Sequence, residues 1–404
     1  MKNRYRIPVT AMLVWAVFAT CSLAASPEEL IRTIKSVSER GQGNVQATAA
    51  VRELTQDDAS VLPKILTALN DAKPLPANWL RSAFETIADR ALADGGKLPA
   101  RQLERFVVDR SHNPRIRRLA FEYLVKVDDS AADRLVPGML DDPSSELRRE
   151  AVQRLIDEAG KIDSKQDPDK AIALYRTALQ GATDDDLVKA ITAPLKKLDV
   201  DINLHQHFGL LTRWQAIGPF NNVDKVGFAA VYPPEKELNL KATYKGQLGE
   251  VRWQPLELTW KESTTKEDFY GIMDIGKQIK NYKGSVMYAA THFHSSRRQD
   301  VQVRIGTPNS WKIWVNGKLL FGREEYHRGM KLDQYKIDAT LQPGKNVILL
   351  KICQNEQTQD WAQRYQFQIR ICNSEGVAIR QQSGKKTSQT EINKTAALTA
   401  LRGK

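Results

Sequence analysis

Apolar positions along the chain follow two different periods, and the change from one to the other falls near residue 200. From 26 to about 200, Ala, Leu, Ile and Val recur at three- and four-residue steps between breaks of Pro, Gly and Asp, a pattern that predicts a series of short amphipathic helices. From 201 onward short apolar or alternating runs are separated by Gly and Asn turns, which predicts antiparallel strands. The clearest such stretch is 312–321. Its Asn316-Gly317 pair suits a type I′ turn, because both central residues of that turn sit at positive φ. The resulting register sets Trp314 opposite Leu319 and Ile313 opposite Leu320. Both faces are apolar, so the hairpin is expected to be covered on both sides.

In the helical half, Ser26 is placed to cap a first helix, with Pro27 in the opening turn and Glu29 as its capping-box partner. Two later stretches, 113–124 and 142–155, share one design, and their prolines, Pro114 and Pro143, are 29 positions apart. Each reads as a polar turn, a proline that opens a helix, an arginine pair on the outer face (Arg117-Arg118 and Arg148-Arg149), and Ala and Leu facing inward. Weaker copies run over 78–94 and 171–179. This turn-proline-helix pattern resembles HEAT-like repeats. The resemblance implies one α-solenoid over 26–200, each helix pair burying its apolar face on the next, with a concave face open to a protein partner.

In the β half the pattern predicts a first strand over 205–220, a rigid connection at 232–237, and a strand at 251–258. It then predicts a strand pair, 285–294 and 301–305, joined through 295–299, and a strand at 347–353. Many short strands with turn chemistry between them predict an antiparallel β-sandwich. The segments 214–220, 232–235 and 312–318 resemble the galactose-binding-like jelly rolls found beside glycoside hydrolases and in exported bacterial proteins. The chain as a whole is similar to exported bacterial HEAT-repeat proteins. That resemblance implies a multidomain α + β architecture: signal peptide 1–25, HEAT-like helical repeat domain 26–200, β-sandwich jelly roll 201–380 and disordered basic tail 381–404. Such jelly rolls bind glycans in some proteins and only pack on a neighbouring domain in others.

Length and charge narrow this picture. The 404 residues leave room for two or three domains. The net charge of +12 lies outside the helical half, since 26–200 holds 27 basic and 29 acidic residues while 201–372 holds 24 and 17. Lysines spaced singly along strands read as solvated sheet faces, and no nucleic-acid motif accompanies them, so nucleic acid is not an expected partner. Lys2, Arg4 and Arg6 precede an apolar run at 7–25 that ends in small residues, the layout of a secretory signal cleaved near Ala24 or Ala25. The expected location is therefore periplasmic or extracellular, with no stable membrane insertion after cleavage; a retained N-terminal anchor and a lipoprotein modified at Cys21 are the alternatives. Cys353 and Cys372 would lie roughly 30 Å apart on a single hairpin about 354–363, too far for a disulfide.

Candidate chemistry is sparse. His205 and His207, and His292 and His294, alternate along predicted strands as two metal ligands would, but no Cys or carboxylate stands at a recognised spacing. They are read as ordinary strand histidines, and His112 as a loop or capping residue; no metal and no cofactor is expected. Glu324, Glu325, Asp333, Glu356 and Asp360 could supply a glycosidase pair only if the fold set two of them across a cleft. There is no Gly-Xaa-Ser-Xaa-Gly elbow, and Gly41-Gln-Gly43 lacks the strand and lysine of a phosphate loop, so the chain is expected not to be an enzyme. The binding residues expected are Trp311, Tyr326, His327, Arg328, Asp333, Gln354, Asn355, Glu356, Gln357 and Trp361. They combine flat apolar faces with planar amide and guanidinium groups, the mix that stacks on sugar rings and reads hydroxyls. The function expected is an exported binding or scaffold protein whose jelly roll takes a glycan, such as a cell-envelope polysaccharide, or a protein. A purely structural interaction scaffold and a polysaccharide hydrolase are the alternatives.

Overall fold

The computed structural model describes residues 25–38 and 41–381. Residues 1–24 of the signal read at 1–25, Cys21 among them, and 382–404 of the tail read at 381–404 lie outside the described residues. The chain is a mixed α and antiparallel β protein that divides into two compact units, Met1–Leu135 and Val136–Lys404. The change of secondary structure follows the composition, with helices through Phe208 and strands from Arg213. The division by contacts comes earlier, so the last long helices belong with the sheets.

The first unit holds helices α1 (Pro27–Lys35), α2 (Asn44–Leu54), α3 (Leu62–Leu69), α4 (Pro74–Ala93), α5 (Ala100–Val108), α6 (Pro114–Leu124) and α7 (Ala131–Leu135). Ser26 and Glu29 form the expected capping box on α1. Neighbours pack in pairs, α1 with α2, α3 with α4 and α5 with α6, around Ile34, Leu66, Phe84, Val107 and Leu124. The arginine pair of α6 is not wholly on the outer face as expected. Arg117 is buried and its Nε donates to the Val107 carbonyl at 2.7 Å, meeting one of the carbonyls that the end of α5 leaves without a helical partner. His112 stacks on Phe106 with ring centroids 3.8 Å apart and hydrogen-bonds the Asn70 amide at 2.7 Å, a packing role at the same helix end.

The second unit opens with α8 (Ser145–Gly160), α9 (Pro168–Gly181), α10 (Asp185–Lys197) and α11 (Leu204–Phe208). Pro143 stays outside α8, which Ser144 caps instead. His205 and His207 therefore lie on a helix and not on a strand, and two-residue spacing there sends them to different sides. His205 bonds the Asp268 carbonyl through Nε2 at 2.6 Å, and His207 bonds the Ala182 carbonyl through Nε2 at 2.9 Å.

The strands are β1 (Arg213–Asn221), β2 (Thr243–Gly246), β3 (Gly249–Arg252), β4 (Gln254–Glu257), β5 (Met273–Asp274), β6 (Ser285–Ser295), β7 (Gln299–Gly306), β8 (Ser310–Val315), β9 (Lys318–Arg323), β10 (Tyr335–Leu341), β11 (Gly344–Gln354) and β12 (Gln366–Cys372), with the helical turns α12 (Pro233–Lys236) and α13 (Lys266–Phe269) between them. A six-stranded sheet runs β4-β1-β6-β11-β8-β9, a four-stranded sheet runs β10-β7-β12-β5, and β2 pairs with β3. The two larger sheets share one apolar core, to which Trp214, Met287, Trp311 and Leu350 come from the first and Val303, Ile305, Phe367 and Ile369 from the second.

Several strand relations differ from the sequence reading. β6 and β7 are not partners: the 296–298 turn carries the chain from one sheet to the other, which buries β6 on both faces. The stretch 251–258 splits at Trp253 into β3 and β4, which pair with different strands. Trp314 does face Leu319, across a turn with Asn316 at φ 52° and Gly317 at φ 78°. A bulge at Leu320 then sets Ile313 opposite Phe321, and β9 is an exposed edge strand, so the hairpin is covered on β8 alone. β11 and β12 lie in different sheets, so Cys353 and Cys372 are not the ends of one hairpin; both are buried free thiols.

The helices and sheets of this unit are joined by a second apolar cluster and by a charged clasp. The cluster sets Val152, Tyr175, Ile191 and Phe208 against Trp260, Phe269, Tyr270 and Leu332. In the clasp Asp333 takes Arg370 Nε at 2.6 Å, Arg370 Nη2 at 2.5 Å and Arg304 Nη1 at 2.7 Å. Burial pushes the Asp333 carboxyl up, but the guanidiniums of Arg370 and Arg304 outweigh it and hold it below its ordinary value. Arg370 also donates to the carbonyls of Phe208 and Gly376, Arg304 to that of Ser374, and Arg148 from α8 to that of Glu375. The segment from Asn373, the last stretch of the expected 201–380 domain, is thus a fixed turn through Gly376. Asp333→Asn keeps the shape but removes the charge between two buried guanidiniums, and is expected to destabilise the second unit by about 3–5 kcal/mol in denaturant unfolding. His207 gives a pH dependence. Burial lowers its pKa to about 4, so between the ordinary value near 6.5 and 4 the unfolded chain binds the extra proton and stability falls as the pH falls. On the order of 3 kcal/mol is expected to be lost across that window and to be absent from His207→Gln, measured by urea unfolding at stepped pH.

Candidate functional site

Two loops of the second unit carry most of the expected binding residues, 324–334 between β9 and β10 and 355–365 between β11 and β12. Each is fixed by backbone and amide bonds. Arg328 N donates to the Pro308 carbonyl at 3.0 Å, while Gln334 takes Thr307 N at 3.1 Å and donates to the Gly329 carbonyl at 2.9 Å. In the other loop Gln354 donates to the carbonyls of Ala362 and Arg364, and Asn309 donates to Gln354 Oε1 at 3.3 Å and to the Arg364 carbonyl at 3.1 Å. Gln354 is fully buried, so this amide shapes the loop and does not face a ligand.

The ten residues separate into two groups. Trp311 and Asp333 belong to the interior: Trp311 is fully buried against Phe321 and Tyr335, and Asp333 is the anion of the clasp. Arg328 is exposed but ion-paired to Glu325 at 3.0 Å, and the same carboxylate takes Arg323 at 2.6 Å. Those two guanidiniums hold Glu325 at about 2. Glu356 is turned to the backbone, its Oε1 accepting Asp224 N at 2.5 Å.

Tyr326, His327, Asn355, Gln357 and Trp361 do come together. His327 Nε2 and Asn355 Oδ1 are 2.7 Å apart, and Asn355 Nδ2 donates to Gln357 Oε1 at 2.7 Å. The His327 ring meets Trp361 edge to face, with centroids 5.1 Å apart and planes at 88°. Trp361 nevertheless leaves 60% of its surface open to solvent. Tyr326 closes the inner end, its hydroxyl accepting from Asn222 Nδ2 at 3.2 Å, and burial raises that phenol to about 12. Asn222 was not foreseen: it is buried, donates to the Gln354 carbonyl at 3.0 Å, and links the end of β1 to the 324–334 loop and to the end of β11 from more than a hundred positions away. An asparagine pair after Phe220 looks in sequence like any strand-ending turn.

His292 and His294 do share a face of β6, yet among the described residues no group of three or more His, Cys, Asp or Glu could hold a metal ion. Chemically, the loop pair offers an oriented indole face bordered by amide groups, a surface for stacking and hydroxyl recognition. The two tryptophans predict opposite behaviour. Trp311→Ala should destabilise the protein by about 3–5 kcal/mol, whereas Trp361→Ala should change unfolding by less than about 1 kcal/mol. Denaturant titrations of the two variants check this.

No family model and no curated protein matches the chain. Among solved structures, a β-glucosidase from Kluyveromyces marxianus aligns with TM-score 0.23 and 8% identity over 83% of this chain and 40% of its own. The same enzyme in complex with glucose gives TM-score 0.21 and 11% identity over 62% and 37%. A GH31 α-xylosidase from Xanthomonas citri gives TM-score 0.19 and 12% identity over 41% and 16%. The chain thus spans less than half the length of each enzyme, and at these scores the alignments carry no weight for its fold or function.

Proposed function

We propose that the protein is an exported, non-catalytic scaffold that binds glycan, with Trp361 as the stacking surface for a sugar ring. One observation carries the reading: a tryptophan that exposes 60% of its surface is nonetheless held in orientation by His327, itself tied to Asn355. The C–H face of a pyranose packs on such a ring, and neighbouring amides meet its hydroxyls. In this reading the sheets form a galactose-binding-like jelly roll, supported by the core they share, and the helices are HEAT-like repeats that carry it, supported by their proline-opened, pairwise packing. A protein partner on a concave face of those repeats is the competing occupant. Against the hydrolase alternative, two of the five candidate carboxylates, Asp333 and Glu325, are each engaged by two arginines that lower their pKa, the reverse of what a general acid needs.

The test is retention of the full chain on insoluble cellulose, xylan and chitin and on immobilised polygalacturonate. Retention on at least one polymer is expected, weakened about tenfold or more in Trp361→Ala, a loss of about 1.4 kcal/mol, and less in His327→Ala. Absence of retention on every polymer, or retention indifferent to Trp361→Ala, would remove the reading.

A further inference from the structure

Three lysines and an arginine gather at one place in the second unit. A groove of about 570 Å³ is lined by Lys189 from α10, Lys266 from α13, Lys331 from the 324–334 loop and Arg364 from the 355–365 loop. These come from four separate parts of the chain and meet only in the fold. Among the described residues Lys266, Lys331 and Arg364 form no ion pair, whereas Lys189 pairs with Asp185 and lies over the Tyr270 ring, 5.5 Å from its centroid. With four cations against the carboxylates of Asp185 and Glu267 the concavity keeps a positive balance, and a concave surface concentrates that potential more than a flat face does.

The groove is built. A side chain on Gly306 of β7 would collide with the Lys331 carbonyl, so the glycine lets the loop lie against the sheet and fixes the base of Lys331. The capping box of Thr265 and Asp268 holds the turn that carries Lys266. Leu332, next to Lys331, and Tyr270 are packed in the cluster that joins α10 and α11 to the sheets. The lining is of mixed sign, since Asp185 and Glu267 stand among the cations. A strand of uniform negative charge such as nucleic acid would meet those two carboxylates as well as the lysines. A sugar acid would use both, its carboxylate finding cations and its hydroxyls a carboxylate acceptor.

We propose that this groove is the subsite for the carboxylate of an acidic sugar, which makes the ligand a uronate-containing polysaccharide. The inference rests on the glycan reading above. The two sites share their loops: 324–334 supplies His327 to the aromatic platform and Lys331 to the groove, and 355–365 supplies Trp361 and Arg364.

The experiment measures binding of the full chain to soluble polygalacturonate and to the same polymer with its carboxyl groups reduced, at about 0.15 M salt, where attraction between distant exposed charges is largely screened. Polyglutamate and a single-stranded oligonucleotide serve as polyanion controls. The variants are Lys331→Gln with Arg364→Gln, and separately Trp361→Ala; all three side chains are exposed, and circular dichroism confirms that each variant folds. The expected result is at least a tenfold preference for the acidic polymer, lost in the double variant, which still binds the reduced polymer like the parent. Equal affinity for both polymers, or equal binding of polyglutamate or the oligonucleotide, overturns the inference. If Trp361→Ala abolishes all binding while no acid preference exists, the groove fails and the platform stands. If Trp361→Ala is silent while the double variant loses the preference, the groove stands and the platform fails.

Discussion

Two arginines closing on one aspartate fix the 324–334 loop against the sheets and helices of the second unit. Asp333 sits on a loop, Arg370 and Arg304 lie on adjacent strands β12 and β7, and the spare donors of the arginines reach the end of α11 and the 373–377 turn. Removing three charges from water is costly, and the attraction between them offsets that cost only because nearly every donor finds an acceptor. The energetic gain over a well-packed apolar replacement is therefore small. What the clasp supplies is position: apolar contacts alone would tolerate many placements of the loop, whereas a bidentate guanidinium and carboxylate tolerate few. The orientation of 324–334, and with it of His327 and Lys331, follows from this constraint.

A second buried ion pair does the same work on the far face of the six-stranded sheet. Lys351, fully buried on β11, donates to Glu235 at 2.8 Å and to the carbonyls of Ala230 and Phe228, with Tyr288 also donating to Glu235. The Tyr232 and Tyr288 rings lie beside the ammonium. Burial lowers the Lys351 pKa, and Glu235 opposes that shift. The 228–237 segment has little regular structure beyond α12; Lys351 anchors it together with Tyr288 on Glu235 and the Tyr232 hydroxyl, which donates to the Asn221 carbonyl. Both sheets thus use an interior cation to fasten a segment that their hydrogen-bond ladders do not reach.

The candidate site was legible in part. The two polar loops were visible because Gln, Asn, His, Trp and acidic residues cluster there between strongly apolar strands, and five of the ten expected residues do meet. Trp311 and Asp333 were misassigned for one reason: residue type describes what a side chain can do, and burial decides whether it is free to do it. An aromatic that begins a strand can face the core or the solvent, and a one-residue change of register exchanges the two. Asp333, near Arg328 in sequence, pairs instead with arginines 29 and 37 positions away.

By itself the sequence determined the local structure. The change from helical to strand periodicity, the Ser26 capping box, the Asn316-Gly317 turn and the polarity of the two loops all depend on residues within a few positions of one another, and such short-range rules act before any tertiary contact forms. Only the tertiary structure decided the rest. Which sheet each strand joined, the capping of a helix end by Arg117, the clasp around Asp333, and the gathering of Lys189, Lys266, Lys331 and Arg364 around one groove involve residues that are remote along the chain. Their partners are selected by packing and by the need to satisfy buried polar groups, and neither is encoded in any single stretch.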